Sequence, residues 1–190
     1  MLAWLRQRRN RRRTARSLYG SIVTQARSGG LYATLGVPDT HEGRFEAIAL
    51  HLVLVLRRLA REGEQGSALG QALTEAFVVD LDDTLREMTV GDLAVPRHVK
   101  RAVAVLHDRY STYGAALAAP QDGLLAAAVA QRLATLSGAE GLDAPEICAY
   151  IREAAQALDL QPGAQVLAGD LTWPQVRERP QRRRCRSSDR

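Results

Sequence analysis

The sequence predicts an all-α protein: a single helical bundle of about six helices with Arg-rich terminal tails. Three observations carry this. Thirty of the 190 residues are alanine and only 5% are aromatic, a composition that leans toward helix. Apolar residues recur at spacings of three and four along most of the chain. Caps, glycines and prolines punctuate that pattern at helix-length intervals. The length suits one domain, and a 46% hydrophobic content suffices for a sizeable core.

The first helix should run from Leu2 to Ala26. Leu18, Ile22, Val23 and Ala26 form its apolar face, and Gly29-Gly30 ends it. Residues 31–39 read as an ordered loop, because Pro38 bars helix at Val37. Thr40 caps a second helix that reaches Arg61. Its apolar residues, from Phe45 through Leu59, cover most of the circumference, which marks a central, buried helix. Ser67 caps a third, Ala68–Thr89, with a stripe of Leu69, Leu73, Phe77, Leu81, Leu85 and Met88. Gly91 interrupts the chain, and Val95-Pro96 opens a fourth helix to residue 117. Asp122 caps a fifth, Gly123–Leu136. Asp143 and Glu146 form a capping-box pattern for a sixth, which ends at Leu158. Residues 161–176 should lie extended, anchored by Trp173, and residues 177–190 form a disordered, Arg-rich tail. The expected division is a basic N-terminal helix or arm (1–30), a helical domain (31–160), the extended segment and the tail.

Charge separates along the same lines. Residues 1–16 hold seven arginines and no acid; residues 177–190 hold seven arginines, Glu178 and Asp189. The ends therefore carry +12, and the body, residues 17–176, carries −7 within a net +5. An acidic body excludes reading the whole domain as a basic nucleic-acid binder.

Other classes fall away in turn. Cys148 and Cys185 are too few for a disulfide framework and match no zinc spacing; Cys148 reads as a small core residue. No apolar run reaches the ~18–20 residues of a membrane span, and Met1–Leu5 leads straight into arginines without the apolar core of a signal peptide. The expected location is the bacterial cytoplasm, peripheral at the inner membrane, or the mitochondrial matrix in a eukaryote. His98 and His107 differ by half a helical turn and His51 falls in the buried helix, so no metal or cofactor is expected.

One motif suggests an enzyme. Residues 77–85, FVVDLDDTL, match the haloacid-dehalogenase pattern, in which Asp80 would be the phosphorylated nucleophile, Asp82 the acid/base, and both would hold Mg²⁺. That chemistry requires a strand leading into the aspartates. The upstream residues ALGQALTEAF have helical period instead, and no second acidic pair follows. The phosphatase alternative is therefore disfavoured.

Two longer stretches are more specific. Residues 31–59, LYATLGVPDTHEGRFEAIALHLVLVLRRL, and residues 77–100, FVVDLDDTLREMTVGDLAVPRHVK, resemble the ubiquinol–cytochrome c chaperone family. These are bacterial relatives of a mitochondrial assembly factor for cytochrome b. The shared pattern is GVPDT-x-x-GRFE, an apolar helix with HL-x-L-x-LRRL, then F-x-x-D-x-D-x-x-LREM-x-VGD-x-x-VP-x-x-VK. His41 replaces an expected aromatic, and Thr89 an expected glycine.

The resemblance implies an α-helical, non-enzymatic chaperone that binds newly made cytochrome b and assists biogenesis of the cytochrome bc complex. The mitochondrial member works near the ribosomal tunnel exit. No small-molecule substrate is implied, and the need for a partner subunit stays open. Carried onto this chain, the polar motif residues Arg44, Glu46, His51, Asp80, Asp82, Asp83, Arg86, Glu87, Asp92 and Lys100 form a candidate client surface. The alternative is structural: Arg44 and Arg86 pair with the aspartates and lock helices together. An apolar groove is expected between the helices at 40–61 and 68–89. Arg8, Arg9, Arg11, Arg12 and Arg13, with Arg182, Arg183 and Arg184, are candidate contacts to ribosomal RNA or an anionic membrane surface. A third possibility is a general ribosome- or membrane-surface adaptor.

Overall fold

The computed structural model describes residues 2–87, 95–119 and 123–176. Among them the regular structure is helical throughout: α1 (Leu2–Ala26), α2 (Gly29–Ala33), α3 (His41–Leu59), α4 (Gly63–Glu87), α5 (Val95–Ala118), α6 (Gly123–Arg132), α7 (Ala144–Leu160) and α8 (Gly163–Ala168). The six helices of ten residues or more form the expected all-α bundle.

The middle helix takes the central place its composition demands. Leu50, Leu52, Val53, Leu54 and Val55 of α3 are all buried, and α3 touches α1, α4, α5 and α7. The long α1 lies along α4 and across α3, burying Ala15, Leu18 and Ile22. A second layer, α5–α6–α7, closes the other side around Tyr113, Leu125 and Ile151. Two expected caps form: Thr40 Oγ1 accepts from the Gly43 amide at 3.1 Å, and the Asp143 carboxylate accepts from the Glu146 amide at 3.3 Å. Each satisfies an amide that has no partner within its own helix.

Four local readings need correction. Gly29-Gly30 does not simply end α1; it opens the short α2, which places Leu31 in the core. Ser67 lies inside α4, because a 3-10 turn at Ala60–Glu62 and Gly63, with φ of 62°, already turn the chain. The fifth helix ends at Arg132, four residues early. Residues 161–176 are not wholly extended: Val166 is buried, and the helix α8 forms around it. At α2 and α8, the burial of Leu31 and Val166 outweighs a local signal too weak to decide. The expected break at Gly91, the helix end at Thr89 and the Asp122 cap lie outside the described residues.

Candidate functional site

The polar motif residues divide into two groups with different surroundings. Arg44, in the first turn of α3, is exposed, and its Nε donates to Asp39 Oδ1 at 2.7 Å. That hydrogen bond holds the Asp39 carboxyl below its ordinary value. Arg44 therefore fastens the preceding loop locally and does not pair with the aspartates of α4, contrary to the structural alternative above. Asp83 and Lys100 are exposed and Asp82 is half-buried. Asp80 is exposed and accepts a hydrogen bond from the Tyr19 hydroxyl at 2.8 Å, tying α4 to α1. Burial, then the bond to Asp80, raise the Tyr19 phenol, so the hydroxyl remains a donor. Beneath it Tyr19 meets Phe77 edge-on and Phe77 meets Phe45, with ring centroids 6.4 and 6.1 Å apart. This aromatic row joins α1, α4 and α3, so both phenylalanines serve packing. Arg86 and Glu87 stand in the last turn of α4. Asp92, Arg182, Arg183 and Arg184 lie outside the described residues.

Glu46 and His51 leave the candidate surface altogether. Each points into the bundle and is nearly or fully buried, which takes it off an exposed face. Glu46 receives both Nε and Nη2 of the buried Arg109 on α5, the first at 2.8 Å. Arg109 Nη1 bonds Asp108, which also holds Arg132 at 2.7 Å. This chain of charges runs from α3 through α5 to the end of α6. A buried carboxylate needs such a partner, since an unpaired one is too costly to keep ionised. Gly43, one turn earlier, packs so closely that an added Cβ would stand 2.0 Å from the Pro38 carbonyl oxygen.

His51 anchors a second network. One ring nitrogen, Nδ1, lies 2.7 Å from the Ala47 carbonyl oxygen and must donate to it. Nε2 is then the acceptor, and the Tyr150 hydroxyl on α7 donates to it at 2.6 Å. Burial lowers the His51 pKa to about 4, opposed by the Ala47 bond, so the ring is neutral. Burial pushes the Tyr150 hydroxyl up to about 12, opposed by the bond it accepts from Gln25 Nε2 at 2.8 Å. The same amide of Gln25 donates to the Pro174 carbonyl at 3.1 Å. Trp173 stands edge-on to His51, centroids 5.3 Å apart, and its indole N–H donates to Ser21 Oγ at 2.9 Å. Trp173 is thus the anchor the sequence suggested, and its partners come from α1 and α3.

Arg58 forms a third node that pattern reading missed. It sits buried in the last turn of α3. Its Nε donates to the Leu158 carbonyl at 2.9 Å, its Nη2 to the Gln161 carbonyl at 2.8 Å, and its Nη1 to Glu62. It closes the carbonyl end of α7, where a cation is favoured. The sequence signal was the LRRL of the shared pattern, which does not tell which of Arg57 and Arg58 turns inward.

The dehalogenase motif lacks its context. Asp80 and Asp82 stand on α4, not at the end of a strand. Among the described residues, two clefts lie beside other helices than the α3–α4 pair. One, of about 200 Å³, lies between the start of α1 and α4; Trp4, Arg8, Arg11, Arg12 and Glu75 are among its walls. The Arg8 guanidinium covers the Trp4 ring at 5.6 Å, while Trp4 and Leu5 remain more than half exposed. Arg9, Arg12 and Arg13 are exposed on the same ordered helix. The other cleft, of about 300 Å³, lies beside α7, between Leu35, Ala149 and Tyr150 and the chain at Gln175 and Val176.

Residues 33–173 match the family model described as ubiquinol-cytochrome C chaperone. The chain belongs to that family. A solved structure described as the Cbp3 homolog from Brucella abortus is similar, with 32% sequence identity and a TM-score of 0.78; the match covers 93% of this chain and 98% of that one. No curated protein sequence matches the chain. The family match contains the Arg109–Glu46 pair, Arg58 and the His51–Tyr150–Trp173 network. The helix carrying Arg8 to Arg13 precedes it.

Proposed function

We propose that this ubiquinol–cytochrome c chaperone is a non-enzymatic assembly factor that binds newly made cytochrome b at a cytoplasmic membrane or ribosome surface. Membership of the family across residues 33–173 is the observation that carries the reading. The buried Glu46 and His51 serve the scaffold, Asp80 ties α4 to α1, and the exposed Asp83 and Lys100 remain available to a client. The first half of α1 supplies the surface contact. It presents arginines beside an exposed Trp4 and Leu5, the composition of a helix lying at an anionic membrane interface.

Crosslinking in cells followed by mass spectrometry tests the client. Cytochrome b should be recovered with the chain, and its absence from the crosslinked set would reject the reading. The surface contact needs a gentler change than deletion, because residues 1–16 include the buried Ala15. A variant with Arg8, Arg9, Arg12 and Arg13 replaced by Gln should lose binding to anionic vesicles or ribosomes at low salt. Wild-type binding should weaken as salt rises. Unchanged association at low salt would sink the role of this helix.

A further inference from the structure

We propose that the groove formed by α1, α2, α3 and α7 is a docking site for an extended peptide segment, and that residues 171–176 are its built-in, displaceable occupant. The proposal rests on the chaperone reading and deepens it by naming the form in which a client binds. The occupant from outside would be an extended segment with one large aromatic residue and a branched apolar residue three positions later.

The way residues 171–176 are held is the basis for this. Among the described residues, no main-chain-to-main-chain hydrogen bond holds them. Side chains hold their backbone instead. Gln161 uses its amide as a strand edge would: its Nε2 donates to the Thr172 carbonyl at 2.8 Å, and its Oε1 accepts from the Thr172 amide at 2.9 Å. Gln25 binds the Pro174 carbonyl. These bonds read the backbone of an extended chain and are indifferent to its side chains, as in strand-addition recognition. Selectivity falls to two places. Trp173 seats its ring against His51 and its N–H on Ser21. Val176 lies on Gly30, where an added Cβ would come within 2.7 Å of it.

The groove also continues. The cleft beside α7 adjoins it, with Gln175 and Val176 in its lining together with Glu146 and Glu153. A segment held by side chains, with Thr172 and Gln175 exposed, opens more readily than a packed helix. Its own tether gives it an effective concentration in the millimolar range, so a competing segment gains access when the internal anchor weakens.

The test uses the full chain and a dye-labelled peptide of residues 169–176, GDLTWPQV. The peptide should bind a Trp173→Ala chain about tenfold or more tightly than it binds the wild type, whose own segment fills the groove. The same peptide with its tryptophan replaced by alanine should bind neither. Equal binding to both chains, or none to Trp173→Ala, would overturn the proposal. Should that variant not fold, hydrogen exchange on the wild type decides. The Thr172 amide should exchange about a hundredfold or more faster than amides in the middle of α3, the mark of local opening. Equal rates would mean that the segment leaves only on global unfolding, and the groove would not be a docking site. Neither measurement involves cytochrome b. Peptide binding without cytochrome b capture leaves the groove and rejects the client; capture without peptide binding does the reverse.

Discussion

Removing the Glu46 carboxylate should expose how much the scaffold depends on one charge pair. Glu46 and Arg109 are 6% and 8% exposed, and two hydrogen bonds join them. Taking away one partner of a buried pair leaves the other charge uncompensated, at a typical loss of about 3–5 kcal/mol. Asp108 still holds Nη1 of Arg109, so Glu46→Ala belongs at the lower end, about 3 kcal/mol. That is a large share of the ~5–15 kcal/mol by which a domain is stable. With a urea slope of about 2 kcal/mol per molar, the unfolding midpoint should fall by about 1.5 M at unchanged slope. Arg109→Met should lose about as much, because it strands the carboxylate. The double variant Glu46→Leu/Arg109→Met is the decisive arm. It removes both charges and refills the volume, so it should unfold within about 1 kcal/mol of the wild type. Urea denaturation followed by circular dichroism at 222 nm reads all three. Single variants within ~1 kcal/mol of the wild type, or a double variant that loses the sum of both, would refute this account of the pair.

Three further outcomes follow from the same geometry. The lowered pKa of His51 makes stability depend on pH. The unfolded chain takes up a proton near pH 6.5 that the folded chain refuses until about 4, so stability is intact above 6.5 and declines as pH falls through that window. The shift corresponds to about 3 kcal/mol, levelling off below pH 4. Melting temperatures of His51→Gln should decline less steeply between pH 6.5 and 4, and parallel curves would count against the assignment. Tyr150→Phe keeps the ring but leaves His51 Nε2 without a donor; it should lose about 1–3 kcal/mol, and a loss under ~0.5 in chemical denaturation would place the stabilisation elsewhere. Gly43→Ala should run against propensity. Alanine in a helix ordinarily gains up to about 1 kcal/mol over glycine, but here its Cβ would strike the Pro38 carbonyl, so a net loss of about 1–3 kcal/mol is expected. A raised melting temperature would refute the close approach.

Much of the architecture was legible because it is written in local chemistry. The Thr40 and Asp143 caps bind amides three residues away, and a helix apolar all round can only be buried. The errors fell where packing decides, at α2 and α8, and where the positive φ of Gly63 starts α4 ahead of the expected cap. The motif residues were harder. Arg44, Glu46 and His51 sit within eight positions on one helix, yet Arg44 faces solvent while the other two face different buried partners. A repeating pattern shows which residues a family keeps together in sequence, but not which side of the helix each one serves.

From the sequence alone came the all-α class, the central helix, the charge division between body and ends, and the family. Each depends on residue type and short-range spacing. Only the tertiary structure decided that Glu46 meets Arg109, 63 positions away, and that His51 meets Tyr150, 99 positions away. It alone seated Trp173 between α1 and α3. The reason is physical: a buried polar group must find a partner, and which partner is near depends on how whole helices pack, information that no local window of the chain contains.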